Sequence, residues 1–93
     1  MISSRIIQTV ETTTDEHLKI NVYDDAGYLP IHRAAYNGHE LVLKNILEKA
    51  QRRAELQIQL EATTHDINKL TSLLLATSAG RLDIIAYLLT YIQ

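Results

Sequence analysis

The segment Asp24-Asp25-Ala26-Gly27-Tyr28-Leu29-Pro30-Ile31-His32-Arg33-Ala34-Ala35-Tyr36-Asn37-Gly38-His39 returns in degenerate form at Asp66-Ile67-Asn68-Lys69-Leu70-Thr71-Ser72-Leu73-Leu74-Leu75-Ala76-Thr77-Ser78-Ala79-Gly80. Asp24 and Asp66, Gly38 and Gly80, and Val42 and Ile84 each stand 42 positions apart. Three separate offsets that agree mark an internal repeat, and periods of 20–50 residues belong to stacked arrays in which no unit can bury its apolar face alone. A chain built this way reads as a binding scaffold and not as a catalyst.

Each copy carries the signals of a turn followed by two helices. Asp24-Asp25-Ala26-Gly27 is a turn, with Gly27 supplying positive φ at low cost. Pro30 suits the first position of a helix, where its missing N–H is not needed. Ile31, Ala34 and Ala35 then face inward, and Gly38 is the left-handed terminator. A second helix beginning at His39 or Glu40 shows the apolar stripe Val42, Leu43, Ile46 and Leu47. In the second copy Thr71 caps a helix that starts at Ser72 and ends at Gly80, and Ile84, Ile85, Leu88 and Leu89 stripe its partner.

Between the copies, Glu48 to His65 contains neither Gly nor Pro and is rich in helix formers, with Glu48 and Arg52 a favourable pair four apart. Ala50 and Ala54 continue the stripe, so the second helix is expected to run on past Arg53. The strict alternation Leu56-Gln57-Ile58-Gln59-Leu60 suits an extended finger equally well. Before the first copy, Ile6, Ile7 and Val10 share one helical face, which predicts a helix from Ser3 to about Glu11 that ends at Thr12-Thr13-Thr14. Ile20-Asn21-Val22-Tyr23 reads as an extended arm leading into the turn.

Composition narrows the functional classes. Ninety-three residues make one small domain, which buries roughly 60–65% of its unfolded surface. Apolar residues at 46% supply a core that must be aliphatic, because Trp and Phe are absent. A net charge of −2 gives no pull toward phosphate backbones, so no nucleic acid is expected. The absence of cysteine excludes disulfides and thiolate metal sites and fits an intracellular setting, cytoplasmic or nuclear. The most apolar stretch, Ile84 to Ile92, is far short of the roughly 20 residues a membrane span needs, and Met1 to Val10 lacks the continuous apolar core of a signal peptide.

The chain resembles the ankyrin repeat family, whose signature centres on T-P-L-H-x-A within a β-turn plus two helices of about 33 residues. Leu29-Pro30-Ile31-His32-Arg33-Ala34-Ala35 followed by Tyr36-Asn37-Gly38-His39 carries the resemblance, as do Thr71, Leu73, Ala76, Gly80, Leu82, Ile84, Ile85, Leu88 and Leu89 in the second copy. Ile20-Asn21-Val22-Tyr23-Asp24 is similar to the family's connector between repeats. The resemblance implies an all-α stack of helix-turn-helix repeats: an N-terminal helix or half-repeat over 1–19, a first repeat over 20–65 and a second over 66–93. This sequence departs from the family at four places. Leu29 replaces the capping Thr, Ser72 and Leu74 replace Pro and His in the second copy, Lys69 stands where the turn glycine belongs, and about nine extra residues lie between Glu48 and His65.

Members of this family engage other proteins with their turn tips and the exposed face of each first helix. Carried over residue by residue, this selects Asp25, Ala26 and Tyr28 at the first tip and Arg33, Tyr36 and Asn37 on its helix. In the second copy it selects Ile67, Asn68 and Leu70 at the tip and Ser78 with Ala79 on the helix. Tyr and Arg dominate interface energetics elsewhere. Ile67 and Leu70 are read equally well as contact residues or as side chains folded under the insertion.

Other chemistry finds little footing. His32 and His39 are seven apart, and the motif gives His32 a turn-fixing role and His39 a helix-opening one rather than metal ligation. His17 and His65 have no partner at ligand spacing. Ser72 and Ser78 lie in no nucleophile or phosphate-binding motif, so no catalytic residue, metal or cofactor is expected. Thr12-Thr13-Thr14-Asp15-Glu16 reads as a solvated loop, and the cluster Lys49, Arg52, Arg53 is balanced by Glu48 and Glu55. Two readings then compete: a protein–protein interaction module, and a purely structural segment supporting a neighbouring domain. The last helix carries Ile85, Tyr87, Tyr91 and Ile92 with few charges, so this end is expected to contact another chain or a continuation of the array.

Overall fold

The computed structural model describes residues 19–92, which contain five α-helices and no strand. They are α1 (Pro30–Asn37), α2 (Glu40–Arg52), α3 (Leu56–Glu61), α4 (Ser72–Ala79) and α5 (Leu82–Leu89). The helix expected from Ser3 to Glu11 and the loop at Thr12 to Glu16 lie outside the described residues. α1 and α4 pack side by side as an inner layer, each backed by its own second helix, and α3 lies against both α2 and α4.

Both inner helices begin and end by the local chemistry of their sequences. Leu29 is extended and offers α1 no side-chain cap, but its own N–H is held by His32 Nδ1 at 3.0 Å. In α4 the cap is conventional, Thr71 Oγ1 accepting from Leu74 N–H at 3.3 Å. Gly38 (φ 77°) ends α1 and Gly80 (φ 71°) ends α4, both left-handed. The following N–H then reaches back to the helix: His39 to the Ala34 carbonyl and Arg81 to that of Ala76, each at 2.9 Å.

The expected run of α2 past Arg53 is wrong. α2 stops at Arg52 with the same terminator, made without glycine: Ala54 is left-handed (φ 59°), and Glu55 N–H bonds the Ala50 carbonyl at 2.7 Å. Ala54 is exposed and does not extend the apolar stripe. The cause is tertiary. The break lets Leu56 and Leu60 pack against the core and carries Gln59, fully buried, beneath the Ile20–Asn21 turn. There Gln59 Nε2 donates to Asn21 Oδ1 at 2.6 Å and to the Ile20 carbonyl at 3.3 Å. Asn21 Nδ2 donates in turn to Glu55 Oε1 at 3.2 Å, which fixes the orientation of both amides. Residues 56–61 are therefore helical, with Gln59 inside and Ile58 outside, the reverse of what their polarity suggests.

The core is aliphatic, as the composition requires. Ile31, Ala34 and Ala35 from α1 meet Val42, Leu43, Ile46, Leu47 and Ala50 from α2, with Ala76, Ile84 and Leu88 from the second helix pair and Ile20 and Leu29 from the entry arm. Each fully buried Leu or Ile stabilises the fold by roughly 1.5–3 kcal/mol relative to exposure. In the second pair the stripe is only half used: Ile84 and Leu88 are buried, Ile85 is half-buried and Leu89 is exposed.

Candidate functional site

The first tip is folded around one carboxylate. Asp24 Oδ1 accepts from the N–H groups of Ala26 (3.0 Å) and Tyr28 (2.9 Å), while the Asp24 carbonyl accepts from Gly27 N–H. Asp24 Oδ2 accepts from Arg33 Nε at 2.8 Å, and the Arg33 guanidinium lies 4.4 Å from the centre of the Tyr28 ring. Partial burial works to raise the Asp24 carboxyl, but the Tyr28 N–H, the Arg33 bond and charge, and the Ala26 N–H outweigh it and hold it below the usual range. Gly27 (φ 87°) supplies the left-handed residue.

The second tip repeats this plan 42 positions on. Asp66 Oδ1 accepts from Thr64 Oγ1 (2.6 Å), Asn68 N–H (3.1 Å) and Lys69 N–H (3.1 Å). Thr64 in turn bonds both the N–H and the carbonyl of Leu70. The Thr64 hydroxyl is the main reason that the Asp66 carboxyl is depressed, with the Lys69 and Asn68 N–H groups and the Tyr28 hydroxyl adding to it against a small desolvation. Lys69 takes the left-handed conformation (φ 49°) that Gly27 takes in the first tip, so the turn is as tight without its glycine.

The tips are tied to each other. His65 N–H donates to the Gly27 carbonyl at 2.8 Å, and Tyr28 Oη donates to Asp66 Oδ2 at 3.4 Å. The Tyr23 ring stacks on the His65 imidazole with centroids 3.5 Å apart, and the Tyr23 hydroxyl bonds the Thr63 carbonyl. A Cβ on Gly27 would stand 3.0 Å from His65 Cβ, so this close approach needs a glycine as much as the backbone angle does.

Behind the tips, His32 is fully buried and spends both ring nitrogens on the backbone. Nδ1 accepts from Leu29 N–H, so Nε2 carries the proton and donates to the Ala62 carbonyl at 3.0 Å. Burial is the chief reason its pKa lies below 6.5, the Ala62 bond opposing it. His32 is therefore a neutral clamp between the first repeat and the start of the second, with no lone pair left for a metal. Among the described residues, no three His, Cys, Asp or Glu side chains converge on a metal position, and no helix is long and apolar enough to cross a membrane.

The residues selected from sequence are placed as follows. Asp25 and Ala26 are exposed at the first tip, Ile67 and Asn68 at the second, and Ile67 is 92% exposed rather than folded under the insertion. Leu70 is half-buried and braced by Thr64, so the pair divides. Tyr28 is half-buried with its ring and hydroxyl both engaged. Arg33, Tyr36 and Asn37 are exposed on α1, and Ser78 is exposed on α4. The side chains 42 positions apart do not all match in exposure: Leu75, the counterpart of exposed Arg33, is 2% exposed.

Two participants escaped the sequence reading. Arg81 donates from Nε to the Tyr36 carbonyl at 3.0 Å, and Thr64 builds the second tip. The 42-residue offset aligns Arg81 with His39 and gives no hint of that bond, whereas Thr64 two before Asp66 is a readable turn signal. The whole surface offers hydrogen-bonding, aromatic and cationic groups on a fixed backbone. A family model for ankyrin repeats (3 copies) matches residues 2–93. No curated protein sequence matches the chain.

Proposed function

The chain belongs to the ankyrin repeat family, whose members are generally protein-interaction modules, and from that premise we propose that it binds a protein partner without chemically altering it. The partner meets the two tips at Asp25, Ala26, Ile67 and Asn68 and the face formed by Arg33, Tyr36, Asn37 and Ser78. The observation that carries this reading is the bonding between tips, His65 N–H to the Gly27 carbonyl and Tyr28 to Asp66. It holds exposed Ile67 and the Tyr28–Arg33 pair in place before any contact, which lowers the ordering cost of binding. Tyr36 and Arg33 supply the residue types that most often anchor an interface.

A photo-reactive residue placed at Tyr36, and separately at exposed Leu41 on the outer helix, tests the proposal in extract from the producing cells. A protein cross-linked from position 36 and not from 41 is the expected result. Labelling equal at both positions, or confined to 41, would place the interaction elsewhere.

A further inference from the structure

The internal repeat allows each face of the second helix pair to be compared with its counterpart in the first. Positions 42 apart place His32, Leu43, Leu47 and Ala50 opposite Leu74, Ile85, Leu89 and Ile92. The first four are all fully buried. Later elements of the chain cover them, α4 lying on α1 and α3 on α2, with Ile84 and Leu88 of α5 in the same apolar cluster. The second four are uncovered: Leu74 is 51%, Leu89 50% and Ile92 43% exposed, and Ile85 is half-buried. The chain thus presents, on α4 and α5, the same stacking face that it closes over on α1 and α2, and it shows by its own example what closes such a face.

We propose that this face receives one further helix pair of the same repeat type, seated on α4 and α5 as those helices are seated on the first pair. Its chemistry is set by the face. Asp83 is the single charged residue between Leu82 and Gln93, so the incoming surface is apolar and uncharged. A small residue such as Ala76 meets the inner helix, as it does at the first junction. The first junction is also clamped by His32, which donates to the Ala62 carbonyl of the following segment. Leu74 has no polar atom to offer there, so the second junction is sealed by hydrocarbon alone. An occupant that presented a backbone carbonyl over Leu74 would leave it unsatisfied, which disfavours a loop and favours a side chain at that point. This face lies apart from the tips and α1, and its test is independent of the partner proposed for them.

Position 93 corresponds to Gln51, also a glutamine, so a copy of residues 52–92 joined after Gln93 continues the 42-residue period and serves as the probe. In the extended chain we expect amide exchange over Ile84 to Leu89 to slow at least tenfold relative to the natural 93 residues. Leu89→Asp, and separately Leu74→Gln, should abolish that protection while leaving the unextended chain's urea midpoint unchanged, because both side chains are half exposed in it. Unchanged exchange in the extended chain would overturn the proposal, as would substitutions that shift both chains equally. A dimer of the unextended chain in light scattering that Leu74→Gln turns into a monomer would assign the face to a second copy and also overturn it.

Discussion

Arg81, at the entrance to α5, donates from Nε to the backbone carbonyl of Tyr36, the last full turn of α1, at 3.0 Å. Its guanidinium also approaches Gly38, where an added Cβ would stand 3.2 Å from the Arg81 side chain. One residue of the second repeat thus closes the carbonyl end of the helix that carries Arg33, Tyr36 and Asn37. A cation at a helix C-terminus is favoured by the dipole as well as by the bond.

We expect Arg81→Ala to lower stability by about 0.5–1.5 kcal/mol, the range for a hydrogen bond at a solvent-accessible site. Urea unfolding of the two proteins measures it directly. An unchanged midpoint would mean that water replaces the guanidinium at no cost.

His32 makes stability depend on pH. Its folded-state pKa lies below 6.5, chiefly through burial, so as pH falls below 6.5 the unfolded chain takes up this proton before the folded one does. Acid therefore favours unfolding: the stability tied to neutral His32 is complete above pH 6.5 and is lost progressively as pH falls toward the folded-state value. Asp24 and Asp66, both held below 3.8, add losses of the same sign from about pH 3.8 downward. Urea midpoints at pH 7.5 and 5.5 should fall for the natural chain and stay level for His32→Gln. A natural chain with equal midpoints would contradict the buried neutral clamp.

Ala54 and Lys69 occupy left-handed backbone without being glycine, which costs roughly 1–2 kcal/mol each in steric strain. Ala54→Gly and Lys69→Gly should each raise stability by about 0.5–1 kcal/mol after the added freedom of the unfolded chain is subtracted. Gly27→Ala should do the opposite by more than about 1 kcal/mol, since it adds the same strain and drives a Cβ to 3.0 Å from His65 Cβ. Thermal unfolding of the three variants ranks them. A destabilised Lys69→Gly would show that the lysine side chain contributes more than its backbone strain costs.

The parts of this fold that could be read from sequence are those set by neighbours in the chain. Pro30, Gly38, Thr71 and Gly80 bound α1 and α4 at the expected residues because caps and left-handed terminators act within one turn of helix. The end of α2 was missed because Ala54 carries no local signal. It is left-handed since the chain must turn there for Gln59 to reach Ile20 and Asn21, some 39 positions away in sequence. Ile58 and Gln59 exchange their expected sides for the same reason. On the candidate surface, exposure of Asp25, Ala26, Arg33, Tyr36 and Asn37 followed from their place in the motif. The bonds that organise it, His65 to Gly27 and Arg81 to Tyr36, join residues 38 and 45 apart and leave no trace in composition or spacing.

The bond from His65 to Gly27 makes the two turns a single mechanical element. The second tip does not hang from its own helix pair but is moored to the first, so the rim of the molecule bends at neither turn without breaking the mooring. An encounter at Ile67 is felt at Tyr28 through Asp66, and a disturbance at Asp25 reaches His65 through Gly27. The rim therefore answers a load as a beam would, stiff along its length, and not as a row of separate fingers.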